Sequence, residues 1–187
     1  MESHESNKEE YVVIVVMGVS GSGKTTVGSQ LAQQLGWPFA DGDDYHSPGN
    51  VEKMRSGIPL TDKDRVQWLR TLRSLISGWI GAQTNAVLAC SALKQTYREH
   101  LRVDEQVRFV YLKASEDLLS QRLLERVGHY MKRQMLESQL ATLEEPNDAI
   151  VTNANGTPEN IVREIRKDVG LVKDSDIASN RLGDTEE

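Results

Sequence analysis

A glycine-rich loop between an apolar run and an amphipathic segment is the feature that most constrains how this chain folds. The loop, residues 18–25, reads GVSGSGKT and completes the pattern G-x-x-x-x-G-K-[ST]. It follows residues 11–17, a β-branched run typical of a buried parallel strand, and precedes Val27, Leu31 and Leu35 at helical spacing. A strand, a glycine loop and a helix N-terminus together form a concave set of backbone N–H groups that binds phosphate. The sequence therefore predicts a domain that binds a nucleoside triphosphate.

The residues of this loop have expected roles in nucleotide binding. Lys24 is expected to reach the β- and γ-phosphates and to act in the transfer, while the Thr25 hydroxyl holds Mg²⁺. The alternative is a glycine-rich turn with a chance lysine, which the flanking strand and helix disfavour. The expected nucleotide-binding residues of the loop are Gly18, Val19, Ser20, Gly21, Ser22, Gly23, Lys24, Thr25 and Thr26.

Length and composition limit the classes of protein to which the chain can belong. With 187 residues, 38% of them apolar, it is expected to form one domain over residues 11–170, with polar tails at 1–10 and 171–187. The net charge of −6 argues against nucleic acid as a partner, and no apolar run approaches the length of a membrane span. Cys90 is the single cysteine, which excludes an internal disulfide and suits a reducing cytoplasm.

Strand-like and helix-like segments alternate along the chain. After the first strand, short apolar runs predict strands at 37–41, 85–90, 107–112 and 149–152. Helical spacing and capping residues predict helices at 51–54, after Thr61, across 94–101, from 115 to about 127, across 133–143, and after Thr157. This alternation predicts an α/β fold of the P-loop type, a doubly wound parallel sheet with helices on both faces.

Two carboxylates follow the second predicted strand, at the edge of the sheet where ligands of such folds bind. We expect Asp43 to accept the proton of an acceptor hydroxyl, because phosphoryl transfer needs an oriented nucleophile more than a strong base. Asp41 is expected to join Thr25 in the Mg²⁺ site, since the third strand ends without the acidic residue usual there. The alternative is an acidic turn that caps the following helix.

Two pairs of basic residues lie four positions apart on predicted helices, Lys94 with Arg98 and Arg122 with Arg126. Like charges at this spacing repel, so a shared anion would explain each pair. For Arg122 and Arg126 the expected anion is the triphosphate, with an arginine neutralising charge in the transition state. Lys94 and Arg98, or alternatively Arg65, could bind a substrate carboxylate. For Arg122 and Arg126 the alternative is an ordinary solvated helix face, with Glu125 screening Arg122.

Two histidines, His46 and His129, fall in predicted loops at the same edge of the sheet. Both are candidates to contact the substrate, and the alternative is a hydrogen-bonded surface histidine. Their spacing does not indicate a metal site. Cys90, at the end of a predicted strand, is expected to be a small core residue.

Together these segments resemble the small P-loop gluconokinases, relatives of shikimate kinase and of the nucleoside monophosphate kinases. The resemblance extends over about residues 12–167, nearly the whole predicted domain. Many families share the P-loop, whereas the CSALK segment at 90–94 and the GHY segment at 128–130 are more specific. The other matching stretches are 41–46, 52–60, 62–68, 97–98 and 139–144.

The resemblance implies an activity and a set of site residues. The activity is ATP-dependent phosphorylation of D-gluconate at its 6-hydroxyl, with Mg²⁺ as the metal and Lys24, Asp43 and Arg126 as catalytic residues. It also implies a sheet of five parallel strands, a mobile lid at about residues 122–133, and a homodimer. The implied substrate-binding residues are Asp43, His46, Lys53, Arg65, Ser91, Lys94, Arg98 and His129.

Two alternative functions remain open on the sequence. One is a kinase of another small hydroxy acid such as shikimate, although that family usually has a glycine-rich segment where this chain has Ser-Ala-Leu-Lys at 91–94. The other is a module that binds ATP without transferring phosphate.

Overall fold

A single parallel sheet organises the computed structural model, which describes residues 11–124 and 129–171, without the side chains of 124 and 129–133. Its five strands have the spatial order β2-β3-β1-β4-β5, and every neighbouring pair is parallel. This order confirms the predicted doubly wound sheet. The strands are β1 (Val13–Met17), β2 (Phe39–Asp41), β3 (Ala86–Ala89), β4 (Val107–Lys113) and β5 (Ile150–Asn153).

Helices connect the strands and cover the sheet. The helix bounds are α1 (Lys24–Leu35), α2 (Pro48–Arg55), α3 (Asp62–Gly81), α4 (Gln95–Leu101), α5 (Glu116–Leu124), α6 (His129–Thr142) and α7 (Pro158–Asp168), with a 3₁₀ turn at Gly42–Tyr45. None of the helices in the described ranges has the length and apolar character needed to cross a bilayer.

The central strand β1 contributes to both faces of the core because its successive side chains point to opposite sides. Val13 and Val15 pack with Leu72, Ile76 and other residues of the face covered by α3 and α4. Ile14 and Val16 pack on the face covered by α1 and α7, where the partners include Leu31, Ile161 and Ile165. Burying each such side chain contributes about 1.5–3 kcal/mol, so the apolar run predicted as a buried strand holds the two layers together.

A third apolar cluster lies at the carboxyl edge of the sheet, and its members are Val19, Leu93, Leu119, Leu123 and Leu136. Val19 belongs to the P-loop, Leu93 to the loop after β3, and the others to α5 and α6. This cluster therefore attaches the last two helices to the loops that carry the chemistry.

Three local predictions differ from the structure or reach beyond it. Lys94 is the N-cap of α4 and precedes the helix, so it does not share a helical face with Arg98 as expected. Helix α6 begins at His129, where the sequence predicted a loop up to about residue 132. Residues 125–128, four of the twelve in the predicted lid at 122–133, lie outside the described residues, as do both predicted tails except residue 171.

Candidate active site

The P-loop adopts a conformation that its glycines make possible. Gly18, Gly21 and Gly23 have φ angles of +145°, +85° and +98°, a region that side chains other than glycine rarely enter. A side chain at Gly18 would also come within 3.0 Å of the Leu112 carbonyl oxygen. Gly23 is the N-cap of α1 and makes no side-chain hydrogen bond to that helix, and the N-terminus of a helix is a site where backbone N–H groups bind phosphate. The loop therefore fits a phosphate chain.

Oxygen atoms from two elements meet beside this helix N-terminus. The Thr25 hydroxyl donates a hydrogen bond of 2.5 Å to Asp41 Oδ2, at the end of β2. Hydroxyl and carboxylate oxygens suit Mg²⁺, which is usually held by one or two carboxylates together with phosphate oxygens. No cluster of three His, Cys, Asp or Glu side chains suited to a metal occurs within the described ranges. The residues present thus fit a Mg²⁺ ion that takes its other ligands from the nucleotide.

The 3₁₀ turn after β2 presents Asp43 to solvent. Asp41 caps this turn through its side chain, and the Trp68 indole N–H donates a 2.6 Å bond to the Gly42 carbonyl. A Cβ atom at Gly42 would lie 2.9 Å from the Ala89 carbonyl oxygen, so only glycine allows this turn to sit against β3. The Asp43 side chain is 73% exposed, which leaves its carboxylate free to meet an acceptor.

His46 is packed under the same turn. Its ring stacks on Trp68 with centroids 4.5 Å apart, and its side chain is only 5% exposed. Burial lowers the pKa of His46, an effect opposed by Asp43 and reinforced by Arg65. Its Nε2 lies 4.0 Å from Asp43 Oδ1, and its buried Nδ1 has no hydrogen-bond partner among the described residues. Because Nδ1 is buried, a substrate hydroxyl would have to bind at Nε2, the nitrogen beside Asp43.

A cleft brings several of the predicted site residues together. Arg65 lies in the first turns of α3 and lines this cleft. Its guanidinium donates a 2.5 Å hydrogen bond to the Leu60 carbonyl, which also lies in the cleft lining. The predicted residues that line the cleft are Ser20, Lys24, Asp43, His46, Arg65 and Ser91. The other lining residues are Met54, Pro59, Leu60, Trp68, Leu93, Met135, Ser138 and Gln139.

Two predicted substrate lysines do not line this cleft, and both are paired with carboxylates. Lys53 Nζ lies 2.6 Å from Asp64 Oδ1, and Lys94 Nζ lies 2.7 Å from Asp62 Oδ2. Hydrogen bonds from Lys53 and Thr61 hold the pKa of Asp64 well below its usual range. Asp64 also completes the capping box of α3 with Thr61, so this ion pair is part of how that helix begins.

Arg98 is buried, although we expected it to bind a substrate carboxylate. Its residue exposure is 3%, and its Nη1 donates 3.1 Å hydrogen bonds to the carbonyls of Ala92 and Leu93. Ala92 has a φ of +41°, an unfavourable region for a residue with a Cβ atom. Arg98 thus supports the strained loop after β3, which carries Ser91 and Leu93 to the cleft.

Arg122 does not line this cleft but contacts the P-loop through hydrogen bonds. It donates hydrogen bonds to the carbonyls of Gly21, Ser22 and Ala154, which join α5, the P-loop and the segment after β5. A second cavity opens here, lined by Gly21, Ser22, Gly23, Thr26, Val27, Arg122, Gly156, Pro158 and Ile161. Arg126 and the side chain of His129 lie outside the described residues.

Gln139 is a cleft residue that was not among the predicted site residues. It exchanges hydrogen bonds with Ser20 of the P-loop, which lies 119 positions earlier in the chain. The signal in the sequence is weak: a single amide among the apolar positions 135, 136, 140 and 143 of a helix. Only the position of α6 against the P-loop gives that amide its importance.

Comparisons with known proteins agree with this arrangement. A sequence model of the shikimate kinase family matches residues 20–169. A gluconokinase of Gluconobacter oxydans is 52% identical over 136 residues, covering 72% of this chain and 76% of that protein. The thermoresistant gluconokinase of Escherichia coli is 40% identical, covering 84% of this chain and 93% of that protein. A crystal structure of a gluconokinase from Sinorhizobium meliloti is 38% identical with a TM-score of 0.77, covering 95% of this chain and 99% of that one.

Proposed function

The chain belongs to the gluconokinase family, and we propose that it transfers the γ-phosphoryl group of ATP to the 6-hydroxyl of D-gluconate. The observation that carries this proposal is one cleft lined by Lys24 of the P-loop, Asp43 and Arg65. A phosphate-binding lysine, a carboxylate for the acceptor hydroxyl and a cation for the substrate carboxylate thus border the same space. Gluconate offers a primary alcohol and a carboxylate at its two ends, which matches this set.

Arg65 is the residue that we assign to the gluconate carboxylate. An arginine can bind a carboxylate with two parallel N–H···O bonds, which fixes both position and orientation. Lys53 and Lys94 support this choice indirectly, because each forms an ion pair with an aspartate away from the cleft lining. The hydroxyl groups along the carbon chain are then available to His46 and Ser91.

The second cavity is where we place the nucleoside part of ATP. Its apolar residues, Val27, Pro158 and Ile161, suit the face of a base, and Arg122 lies beside them. Arg126 is the arginine proposed to neutralise charge in the transition state, and residues 122–133 are proposed to form the lid. The role of Arg126 rests on its four-residue spacing from Arg122 in the sequence, and the lid rests on the family resemblance.

The proposed transfer is supported by the presence of Lys24 and Asp43 in the lining of one cleft. The 6-hydroxyl oxygen attacks the γ-phosphorus, the bond to the β–γ bridging oxygen breaks, and ADP leaves. Asp43 takes the hydroxyl proton as the new P–O bond forms, and Lys24 stabilises the charge on the phosphate oxygens. Thr25 and Asp41 are the residues that would hold Mg²⁺, whose charge offsets that of the phosphoryl group.

Three further features of the proposal concern the molecule as a whole. Residues 11–170 are proposed to form a single kinase domain, and two copies to assemble as a homodimer. A cytoplasmic location is proposed because the chain has one cysteine, Cys90, which is buried.

A coupled assay of ADP release tests the activity. The full chain is supplied with ATP, Mg²⁺ and, in separate reactions, D-gluconate, shikimate or other sugar acids, and NMR identifies the phosphorylated carbon. We expect the highest kcat/KM for D-gluconate and phosphate at its 6-position. An equal or better rate with shikimate would contradict the assignment, and ATP binding without transfer to any acceptor would favour the non-catalytic module.

A further inference from the structure

We propose that Gln139 is a positioning residue. It holds the P-loop in a fixed position relative to the cleft that is lined by Asp43 and Arg65 and that is proposed to bind the acceptor. The proposal rests on the kinase activity proposed above and adds a residue outside the P-loop and outside the expected substrate-binding set. Gln139 acts through Ser20, the third residue of the P-loop motif. Both residues line the cleft that also contains Lys24 and Asp43.

The contact between Gln139 and Ser20 is reciprocal. The Ser20 backbone N–H donates a 2.7 Å hydrogen bond to Gln139 Oε1, and Gln139 Nε2 donates a 3.0 Å bond to Ser20 Oγ. A carboxamide is the side-chain group that offers an acceptor and a donor side by side. Together the two bonds restrain both the position of Ser20 and its orientation.

The helix that carries Gln139 is also attached to the acceptor side of the cleft. Leu136, one turn earlier, packs with Val19 and Leu93. Just after the helix, the Glu144 N–H donates a 2.9 Å bond to the Leu93 carbonyl, and Glu144 Oε2 accepts a 2.6 Å bond from the Gln95 N–H. The C-terminal part of α6 therefore contacts both the P-loop and the loop after β3.

This double attachment has a consequence for the reaction rate. Transfer requires the γ-phosphorus and the acceptor oxygen to be in line, and a displacement of about 1 Å can cost about 100-fold in rate. Loss of the Gln139 bonds removes the hydrogen bonds that hold Ser20 to α6, while the apolar packing of Leu136 with Val19 remains. Lys24, Thr25 and the acceptor residues are not altered. The effect is therefore expected in kcat and not in substrate binding.

The experiment compares wild type with Gln139→Met and Gln139→Ala. Methionine keeps the length and apolar packing of the side chain but loses both the carbonyl oxygen that accepts from the Ser20 N–H and the N–H that donates to Ser20 Oγ. Gln134→Ala is the matched control, because Gln134 is an exposed glutamine on the same helix. We measure kcat, the KM for each substrate, ATP binding, thermal stability, and ATP hydrolysis without acceptor.

For both Gln139 variants we expect kcat to fall between about 10- and 100-fold, with KM, ATP binding and hydrolysis without acceptor unchanged. Gln134→Ala should match wild type. The double variant Ser20→Ala/Gln139→Met should show a smaller fold-decrease in kcat than the product of the decreases in the two single variants, because the two residues act as a unit.

Several outcomes would overturn the proposal. A kcat equal to wild type in Gln139→Met would do so, as would a change confined to KM, which marks uniform binding. Equal losses of transfer and hydrolysis together with lower thermal stability would assign Gln139 a structural role. The comparison uses whichever acceptor wild type phosphorylates best, so failure with gluconate counts against the proposed substrate and not against Gln139.

Discussion

Asp41 Oδ1 accepts a 3.0 Å hydrogen bond from the backbone N–H of Asp43, so one carboxylate positions the other. Its second oxygen, Oδ2, accepts the bond from Thr25 at the start of α1. Asp41 therefore connects the proposed metal site to the proposed proton acceptor. Because the two carboxylates have different partners, substitutions at them should give different kinetic results.

Asp43→Asn should lower turnover while leaving ATP binding near normal. Asparagine keeps the size of the side chain but cannot take the hydroxyl proton, and loss of a positioned proton acceptor costs about 100-fold or more. The measurements are kcat with gluconate and ATP affinity by calorimetry. Asp44→Asn, an exposed acid in the same turn, is the control. Turnover equal to wild type would remove Asp43 from the mechanism.

Asp41→Asn should raise the Mg²⁺ concentration needed for half-maximal activity. Asparagine retains an oxygen for the Asp43 N–H but loses the negative charge, and such changes around a metal typically cost about 10–100-fold in affinity or activity. A Mg²⁺ titration of the initial rate measures the effect. Asp43→Asn is the control and should not change the Mg²⁺ concentration at the midpoint of that titration. If Asp41→Asn also leaves this midpoint unchanged, Asp41 does not bind the metal.

Arg65→Gln should raise the KM for gluconate. The lost interaction binds the carboxylate in both ground and transition states, and charged hydrogen bonds of this kind contribute about 1.5–3 kcal/mol. Glucitol, which lacks the carboxylate, should lose much less than gluconate when kcat/KM is compared. The control is Arg70→Gln, an exposed arginine on the same helix. Equal losses with both acceptors would show that Arg65 does not recognise the carboxylate.

Arg98→Met should destabilise the fold more than it affects substrate affinity. The substitution leaves the Ala92 carbonyl without its buried donor, whereas the Leu93 carbonyl keeps the bond from the Glu144 N–H, and the expected cost is about 1–3 kcal/mol in the free energy of unfolding. In a domain of this size that corresponds to a fall in Tm of about 2–4 °C per kcal/mol. Urea and thermal unfolding measure it. A stable variant with a large increase in the KM for gluconate would instead support the role predicted from the sequence.

His46 should make the stability of the protein depend on pH. Burial keeps its folded-state pKa below the unfolded value near 6.5, so the unfolded chain binds more protons as the pH falls through that range. The free energy of unfolding should therefore fall as the pH drops through the unfolded-state value of about 6.5. His46→Phe keeps the stacking on Trp68 but cannot titrate, and its urea midpoints should change less with pH. Identical pH dependence in the two proteins would contradict this prediction.

The elements of this fold could be predicted from the sequence because their signals are local. The P-loop contains its glycines, lysine and threonine within eight consecutive residues, 18–25. Thr61 and Thr157 were recognised as N-caps because a cap and the amide that it binds lie three residues apart. The five parallel strands were short apolar runs, and their alternation with helices indicated the doubly wound sheet. In each case, the interacting groups are neighbours in the chain.

The composition of the site was less predictable because it depends on partners that are distant in the chain. The sequence offered Lys53, Arg65, Lys94 and Arg98 as equivalent cations near the acceptor. The tertiary structure distinguishes them: aspartates hold the two lysines, backbone carbonyls hold Arg98 inside the protein, and Arg65 lines the cleft. A lysine or arginine in a sequence needs an anion or a hydrogen-bond acceptor as its partner, but the sequence does not show which group that partner is.

The sequence by itself determined that this chain forms a nucleotide-binding α/β domain with two carboxylates, Asp41 and Asp43, at the end of its second strand. Only the tertiary structure decided that Asp41 connects Thr25 to Asp43, and that Gln139 meets Ser20 across 119 positions of chain. The physical reason is the range of the interactions involved. Hydrophobic periodicity and capping act over a few residues, whereas a hydrogen bond between side chains exists only after folding has brought both groups within about 3 Å.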